Sequence, residues 1–159
     1  MRRLAVLLIL VAGLLAGTAA RACSEPDGAI TGWGPADPLT QTQRKLVFEA
    51  LYLDGLDAAE AAAFWPGVRI ASCDLDADRV PETVVFAETQ MTCSLGIVVC
   101  AILVVGAPEG SPRVLLEASG HELLIADTRS AGWLDLIVRV NTRSLSVARF
   151  DGERYEFHE

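Results

Sequence analysis

The chain is 159 residues long, with 21 acidic against 13 basic side chains and a formal charge of −8 at neutral pH. That length accommodates one domain, and 52% hydrophobic residues give it enough apolar surface for a sizeable core. The acidic balance excludes the basic footprint that nucleic acid or an anionic lipid surface demands.

Arg2 and Arg3, the apolar run from Leu4 to Leu15, and Ala20-Arg21-Ala22 follow the order of a secretory signal peptide: a positive start, an apolar middle and an A-x-A cleavage site. The apolar run is too short for a retained membrane span. The expectation is a signal peptide over residues 1–22, an extended arm over 23–38 and a single α+β domain over 39–159, exported to the periplasm or secreted. Cleavage after Ala22 leaves Cys23 first, which raises a lipoprotein as the alternative. Arg21 breaks the small-residue run that lipidation signals place before their cysteine. The leader carries three arginines and no acid, so the chain beyond it stands at −11.

Ser24 to Pro38 is rich in Gly, Pro and Asp and lacks apolar periodicity, hence the arm. Thr40-Gln41-Thr42-Gln43 has the form of a capping box. Leu46, Val47, Ala50 and Leu51 follow at helical spacing, and Gly55 is placed to stop that helix. Asp57 opens a second short helix through alanines to Trp65, which Pro66-Gly67 ends, with Phe64 and Trp65 as core anchors. Beyond this break the pattern changes to strands over 68–73, 83–88, 97–106, 113–118, 122–127, 134–141, 144–150 and 154–158. Leu134, Leu136, Val138 and Val140 alternate as one face of a sheet does. The run 95–107 is apolar almost throughout and reads as a central strand covered on both faces. Asp151-Gly152 predicts a type I′ hairpin, and Ser119-Gly120 a weaker one. The predicted fold is therefore α+β: short N-terminal helices, then an antiparallel meander of about eight strands.

Four cysteines in an exported chain predict disulfides, in one of three pairings. Zinc is excluded by the lack of any C-x-x-C and by the distance of the two histidines, His121 and His158. Cys93 and Cys100 flank a short turn between neighbouring strands, which favours a local bridge and leaves Cys23 to pair with Cys73.

Asp74, Asp76 and Asp78 stand at alternate positions, with Glu82 four residues on. This is the spacing of a calcium loop, in which carboxylates at positions 1, 3 and 5 converge on one hard cation and position 9 adds a ligand. Position 6 is Arg79, where glycine is usual, and position 12 is Val85, so the stretch is no EF-hand. The competing reading is a solvated turn whose aspartates bond their own backbone.

Residues 73–82, Cys-Asp-Leu-Asp-Ala-Asp-Arg-Val-Pro-Glu, running into Thr83-Val84-Val85-Phe86, resemble the DLDGDGxPE loop-strand unit of FG-GAP and VCBS-type extracellular repeats. With the strand from Cys93 to Cys100, Gly132-Trp133-Leu134-Asp135-Leu136-Ile137-Val138 and Phe150-Asp151-Gly152-Glu153-Arg154-Tyr155, residues 68–157 resemble small exported bacterial proteins loosely grouped with periplasmic lysozyme inhibitors. The resemblance implies an envelope-located, disulfide-bonded β domain and implies no activity.

A second group, Ser119, His121 and Glu122 with Asp127, has the residue types of a Ser/His/acid set but no nucleophile elbow. Trp33 and Trp133 are candidates for stacking on a sugar or peptide, and Trp133 is the candidate partner anchor, against a plain role at a hairpin corner. Three readings stand side by side. One is a non-catalytic binding or inhibitory module of the cell envelope with a basic partner such as a lysozyme-like hydrolase. Another is a small metal-assisted hydrolase using Asp74, Asp76 and Asp78. The last is a calcium-stabilised accessory subunit of an envelope assembly.

Overall fold

The computed structural model describes residues 23–25, 27–94 and 99–158. Residues 1–22, the expected leader, lie outside the described residues, as do 95–98, where the apolar run and its expected strand begin. Two antiparallel sheets and two short helices make up the described chain, an α+β arrangement.

Helix α1 (Gln41–Ala50) starts as its capping box dictates. Thr40 Oγ1 accepts the Gln43 N–H at 3.2 Å, and Gln43 Oε1 accepts the Thr40 N–H at 2.9 Å. Two donors that a helix start leaves over are thereby satisfied reciprocally. Asp57 and Glu60 repeat the device for α2 (Ala58–Phe64). The end of α1 departs from expectation, because Gly55 takes no part in it. Tyr52 instead occupies the left-handed position at φ 56°, its N–H on the Glu49 carbonyl and the Leu53 N–H on that of Phe48. This is a Schellman ending with tyrosine where glycine is the unstrained choice. Leu53 and Phe48 pack into the same core cluster, and that burial holds the strained residue in place.

The first sheet takes its five strands in sequence order: β1 (Gly34–Pro35), β2 (Val68–Cys73), β3 (Glu82–Ala87), β4 (Cys100–Gly106) and β5 (Arg113–Gly120). The second does the same with β6 (Glu122–Ser130), β7 (Trp133–Arg139), β8 (Leu145–Phe150) and β9 (Tyr155–His158). The expected single meander thus divides after Gly120. Ser119-Gly120 is not a hairpin: His121 alone carries the chain from one sheet to the other, its N–H donating to the Arg139 carbonyl at 2.8 Å.

Helices, first sheet and second sheet form three layers. Strands β3 and β4 are buried along their whole length. Val85, Ala87, Leu103 and Val105 face the helices, while Val84, Phe86, Ile102 and Val104 face the second sheet. This central placement explains why Cys100–Gly106 shows no alternation in sequence. The turn expectations are also redistributed. At the β8–β9 turn only Gly152 has positive φ, and Asp151 Oδ1 accepts the N–H groups of Glu153 and Arg154, so the turn is not type I′. Positive φ at both central residues occurs at Ala131-Gly132, between the paired residues Ser130 and Trp133.

The arm also does more than extend. Ser24 bridges Ile30, Ala29 bridges Leu124 of β6, and β1 pairs with β2. The Ile125 N–H donates to the Gly28 carbonyl at 2.8 Å. A Cβ on Gly28 would lie 2.4 Å from the Ile125 carbonyl, so only glycine admits this approach. One disulfide joins Cys23 to Cys73 and the other joins Cys93 to Cys100. No helix among the described residues is long and apolar enough to cross a membrane.

Tyr52→Gly removes the left-handed penalty at an 87% exposed side chain and is expected to stabilise the fold by about 1 kcal/mol. Urea denaturation reads this as a higher midpoint at unchanged slope. A midpoint that stays put or falls counts against strain at this position.

Candidate functional site

The loop between β2 and β3 begins at Asp74 and closes where Cys73 and Glu82 pair in register. Its aspartates curl the backbone: Asp76 Oδ1 accepts the Asp78 N–H at 2.9 Å, Asp78 Oδ1 that of Val80 at 2.6 Å, and Asp74 Oδ2 that of Arg79 at 3.3 Å. Ala77 and Arg79 both take positive φ, 69° and 75°. Arg79 therefore adopts the conformation that glycine usually supplies at the sixth position of such loops.

One oxygen from each of Asp74, Asp76 and Asp78 lies within 4.8 Å of the others. Two ligands of a calcium ion, each about 2.3–2.6 Å from it, stand at most about 5 Å apart. The three carboxylates fit that limit. Asp74 Oδ1 is buried without a hydrogen-bond partner, a cost that a bound cation would remove. Desolvation, with Asp78 and Asp74 alongside, holds the Asp76 carboxyl above the usual aspartate range. The residues present fit a hard divalent cation.

Glu82 is not in this cluster. The expected ninth-position ligand is turned inward, 5% exposed, and its Oε2 accepts the Leu75 N–H at 2.8 Å. A Cβ on Gly106 would meet Leu115 Cδ1 at 2.7 Å and Glu82 Cγ at 2.9 Å, so that glycine leaves room for both side chains. Leu75 itself is fully buried against the second sheet, and its carbonyl accepts from the Leu134 N–H at 2.8 Å and Arg129 Nη1 at 3.2 Å. Both backbone polar groups of Leu75 are satisfied, one from each sheet. Burial drives the Glu82 carboxyl up to about 7; Asp76 and Asp78 add to this and the Leu75 N–H opposes it.

Sequence reasoning passed over two further polar groups at this end of the molecule. Asp135 is 3% exposed; its Oδ2 accepts the Thr128 hydroxyl at 2.6 Å and its Oδ1 has no partner. It sits where the β6–β7 register slips between Ile125 and Arg129, an irregularity with no local sequence signal. Tyr155 is buried with its hydroxyl donating to the Leu134 carbonyl at 2.9 Å. Burial, with Glu82, Asp135 and Asp76 nearby, keeps its phenol neutral far above the usual tyrosine range.

The Trp133 ring, expected as a candidate partner anchor, is turned away from solvent. It is 6% exposed, stacked on Phe150 with centroids 4.4 Å apart and edge-on to Tyr155. Its indole belongs to the core between the sheets.

His121 stands at the other end. The register runs Cys73–Glu82 at one end of the first sheet and Val68–Ala87 at the other, and Gly120 pairs with Cys100 beyond Ala101, the partner of Ala87. Strands of this length separate the two ends by about 17–20 Å. His121 and Glu122 line a cleft of about 300 Å³ with Trp33, Phe86 and Arg69, where the Arg69 guanidinium lies over both rings. Asp127 lies five residues along β6 from Glu122, so Ser119, His121 and Asp127 do not assemble as a triad.

Comparison with known proteins yields nothing to set beside this geometry: no family model, no curated protein and no solved structure matches the chain.

Glu82 generates a pH dependence. An unfolded glutamate titrates near 4.5 and the folded one near 7, so between these values the folded chain keeps a proton that the unfolded chain has lost. The associated stability is whole below pH 4.5 and falls as pH rises through 7. Allowing for solvent near the loop, the loss is expected to be of the order of 2 kcal/mol. Denaturant titrations across this window in chelator should show it. Glu82→Gln, which keeps an acceptor for the Leu75 N–H, should flatten the profile.

Proposed function

We propose that the protein is a non-catalytic binding or inhibitory module of the bacterial cell envelope. It is held by two disulfides and a calcium-stabilised aspartate loop, and its partner is a basic protein such as a lysozyme-like hydrolase. The observation that carries this reading is the separation of the chemistry-bearing groups. The Asp74/Asp76/Asp78 cluster and His121 occupy opposite ends of the first sheet, and Glu82, the next acid along the chain, is buried and bonded to the Leu75 N–H. Hydrolysis at a metal needs a base or nucleophile beside it. Two disulfides accord with an oxidising compartment, and the charge of −11 beyond the leader favours a basic partner.

In this reading calcium is structural. Asp74, Asp76 and Asp78 hold it, and the mutual repulsion of three carboxylates becomes attraction to one cation. Calcium at ten times its Kd is expected to stabilise the fold by about 1.4 kcal/mol by mass action. A thermal melt with calcium against chelator reads this directly, and Asp76→Ala should abolish the difference. Equal melting temperatures would leave the loop a solvated turn.

The binding reading is tested with a lysozyme inhibition assay at low and high ionic strength. Inhibition should weaken steeply with salt, because charge complementarity acts through a screened field. Turnover of a cell-wall or ester substrate by the pure protein would overturn the reading.

A further inference from the structure

A sheet has two edges, and each edge strand presents unpaired N–H and C=O groups that can template another strand. Three of the four edges here are blunted. Strand β1 is two residues long, β9 is four, and the arm lies on β6 through the Ala29–Leu124 bridge and the Gly28–Ile125 hydrogen bond. The remaining edge, β5, is eight residues long and has no strand on its outer side among the described residues. Its first half is twisted by a bulge at Leu115, opposite the Val104–Val105 step of β4, which leaves Leu116–Gly120 as the regular stretch.

Val114–Glu117 of this edge form the floor of a groove of about 470 Å³, and Ala118–Gly120 continue the edge beyond it. Leu46, Glu49 and Ala50 of α1 wall it on one side, and Tyr155, Glu156 and Phe157 of β9 on the other. Phe157 is 46% exposed, an apolar contact open to an incoming chain. At the β8–β9 turn, Arg113 Nη2 donates to the Glu153 carbonyl at 3.1 Å and ties the start of β5 to that turn.

The charge of the groove selects its occupant. Glu49, Glu117 and Glu156 line it against one arginine, Arg154. Lys45 pairs with Glu49 and Arg154 with Glu156, whereas Glu117, exposed in mid-strand, has no ion pair among the described residues. A second copy of this chain docking antiparallel in the register centred on Glu117 would set Glu117 against Glu117, and like charges directly opposite destabilise a strand pair. A lysine- or arginine-bearing strand reverses the sign of that interaction.

We infer that the β5 edge is a docking strip on which an extended, basic segment of a partner protein adds as a sixth strand, its cationic side chains at Glu117 and its apolar ones against Leu46 and Phe157. Main-chain pairing supplies affinity and the walls supply selection. The inference rests on the proposed binding function and names the seat of that function.

The test uses the purified, oxidised protein and three eight-residue probes: a peptide alternating lysine with valine, the same peptide with glutamate for lysine, and the lysine peptide N-methylated at alternate residues. The lysine peptide should bind, lose at least tenfold in affinity between 50 mM and 500 mM salt (about 1.4 kcal/mol or more), and slow amide exchange across residues 116–120. N-methylation and Glu117→Lys should each cost at least tenfold, and Glu117→Gln less than Glu117→Lys. Equal binding of the lysine and glutamate peptides, full affinity for the N-methylated one, or protection mapping away from β5 overturns the inference. Protection of β5 that grows with protein concentration and no peptide also overturns it, in favour of self-association. If Glu117→Lys leaves salt-sensitive lysozyme inhibition intact, the binding function stands and this groove is not its seat. If the peptides behave as expected while lysozyme is not inhibited, the groove stands without that partner.

Discussion

Leu75 is the point on which the two sheets agree. Its side chain is fully buried, its N–H is held by a carboxyl from the first sheet and its carbonyl by donors from the second. A buried peptide group left unpaired costs on the order of 1–3 kcal/mol, so the loop cannot shift without losing bonds to both layers. The aspartates on either side, Asp74 and Asp76, remain partly exposed and bond the loop's own backbone. Glu82 is drawn inward to the Leu75 N–H, and Gly106 leaves space for Glu82 and Leu115 together. The features of the candidate site thus follow from the burial of one leucine inside an otherwise polar loop.

Local patterns reveal what local physics decides. The capping boxes at Thr40 and Asp57 were legible because their side-chain and backbone donors lie within one turn of each other. The strands were legible by alternation, and β4 by its unbroken apolar run. The division into two sheets was not, because inward and outward residues alternate in the same way whichever neighbour a strand pairs with. The direction of Glu82 was also hidden, since the spacing of a calcium loop says nothing about which carboxyl the core will claim. Trp133 misled for a related reason: an aromatic residue at a hairpin corner has the same sequence context whether its ring faces solvent or, as here, Phe150. Tyr52 and Ala131 show the limit of turn rules, because packing and strand pairing place them at positive φ where their own preferences point elsewhere.

The charge distribution also divides by depth. The outer acids lie on loops, walls and edges, where they are exposed or partly exposed and set the long-range field. Glu82 and Asp135 lie beneath, near the Tyr155 phenol, each accepting a hydrogen bond inside the fold. A partner approaching from solvent meets the first population and has no direct access to the second. Recognition and internal stability are therefore written in different carboxyl groups.

The route of the arm sets an order of events. Cys23 is tied to a residue 50 positions on, and Gly28 and Ala29 rest on β6, in a sheet built from the last part of the chain. Contacts of such long sequence separation require loop closure before they return any stability. The first residues described are thus among the last to settle, like a clasp fastened once both leaves are folded. Until then the β6 edge lies bare and Cys23 can meet any of the other three cysteines. The interval before closure is when the chain is most open to wrong partners, and its length depends on how soon an oxidant finds Cys23 and Cys73 together.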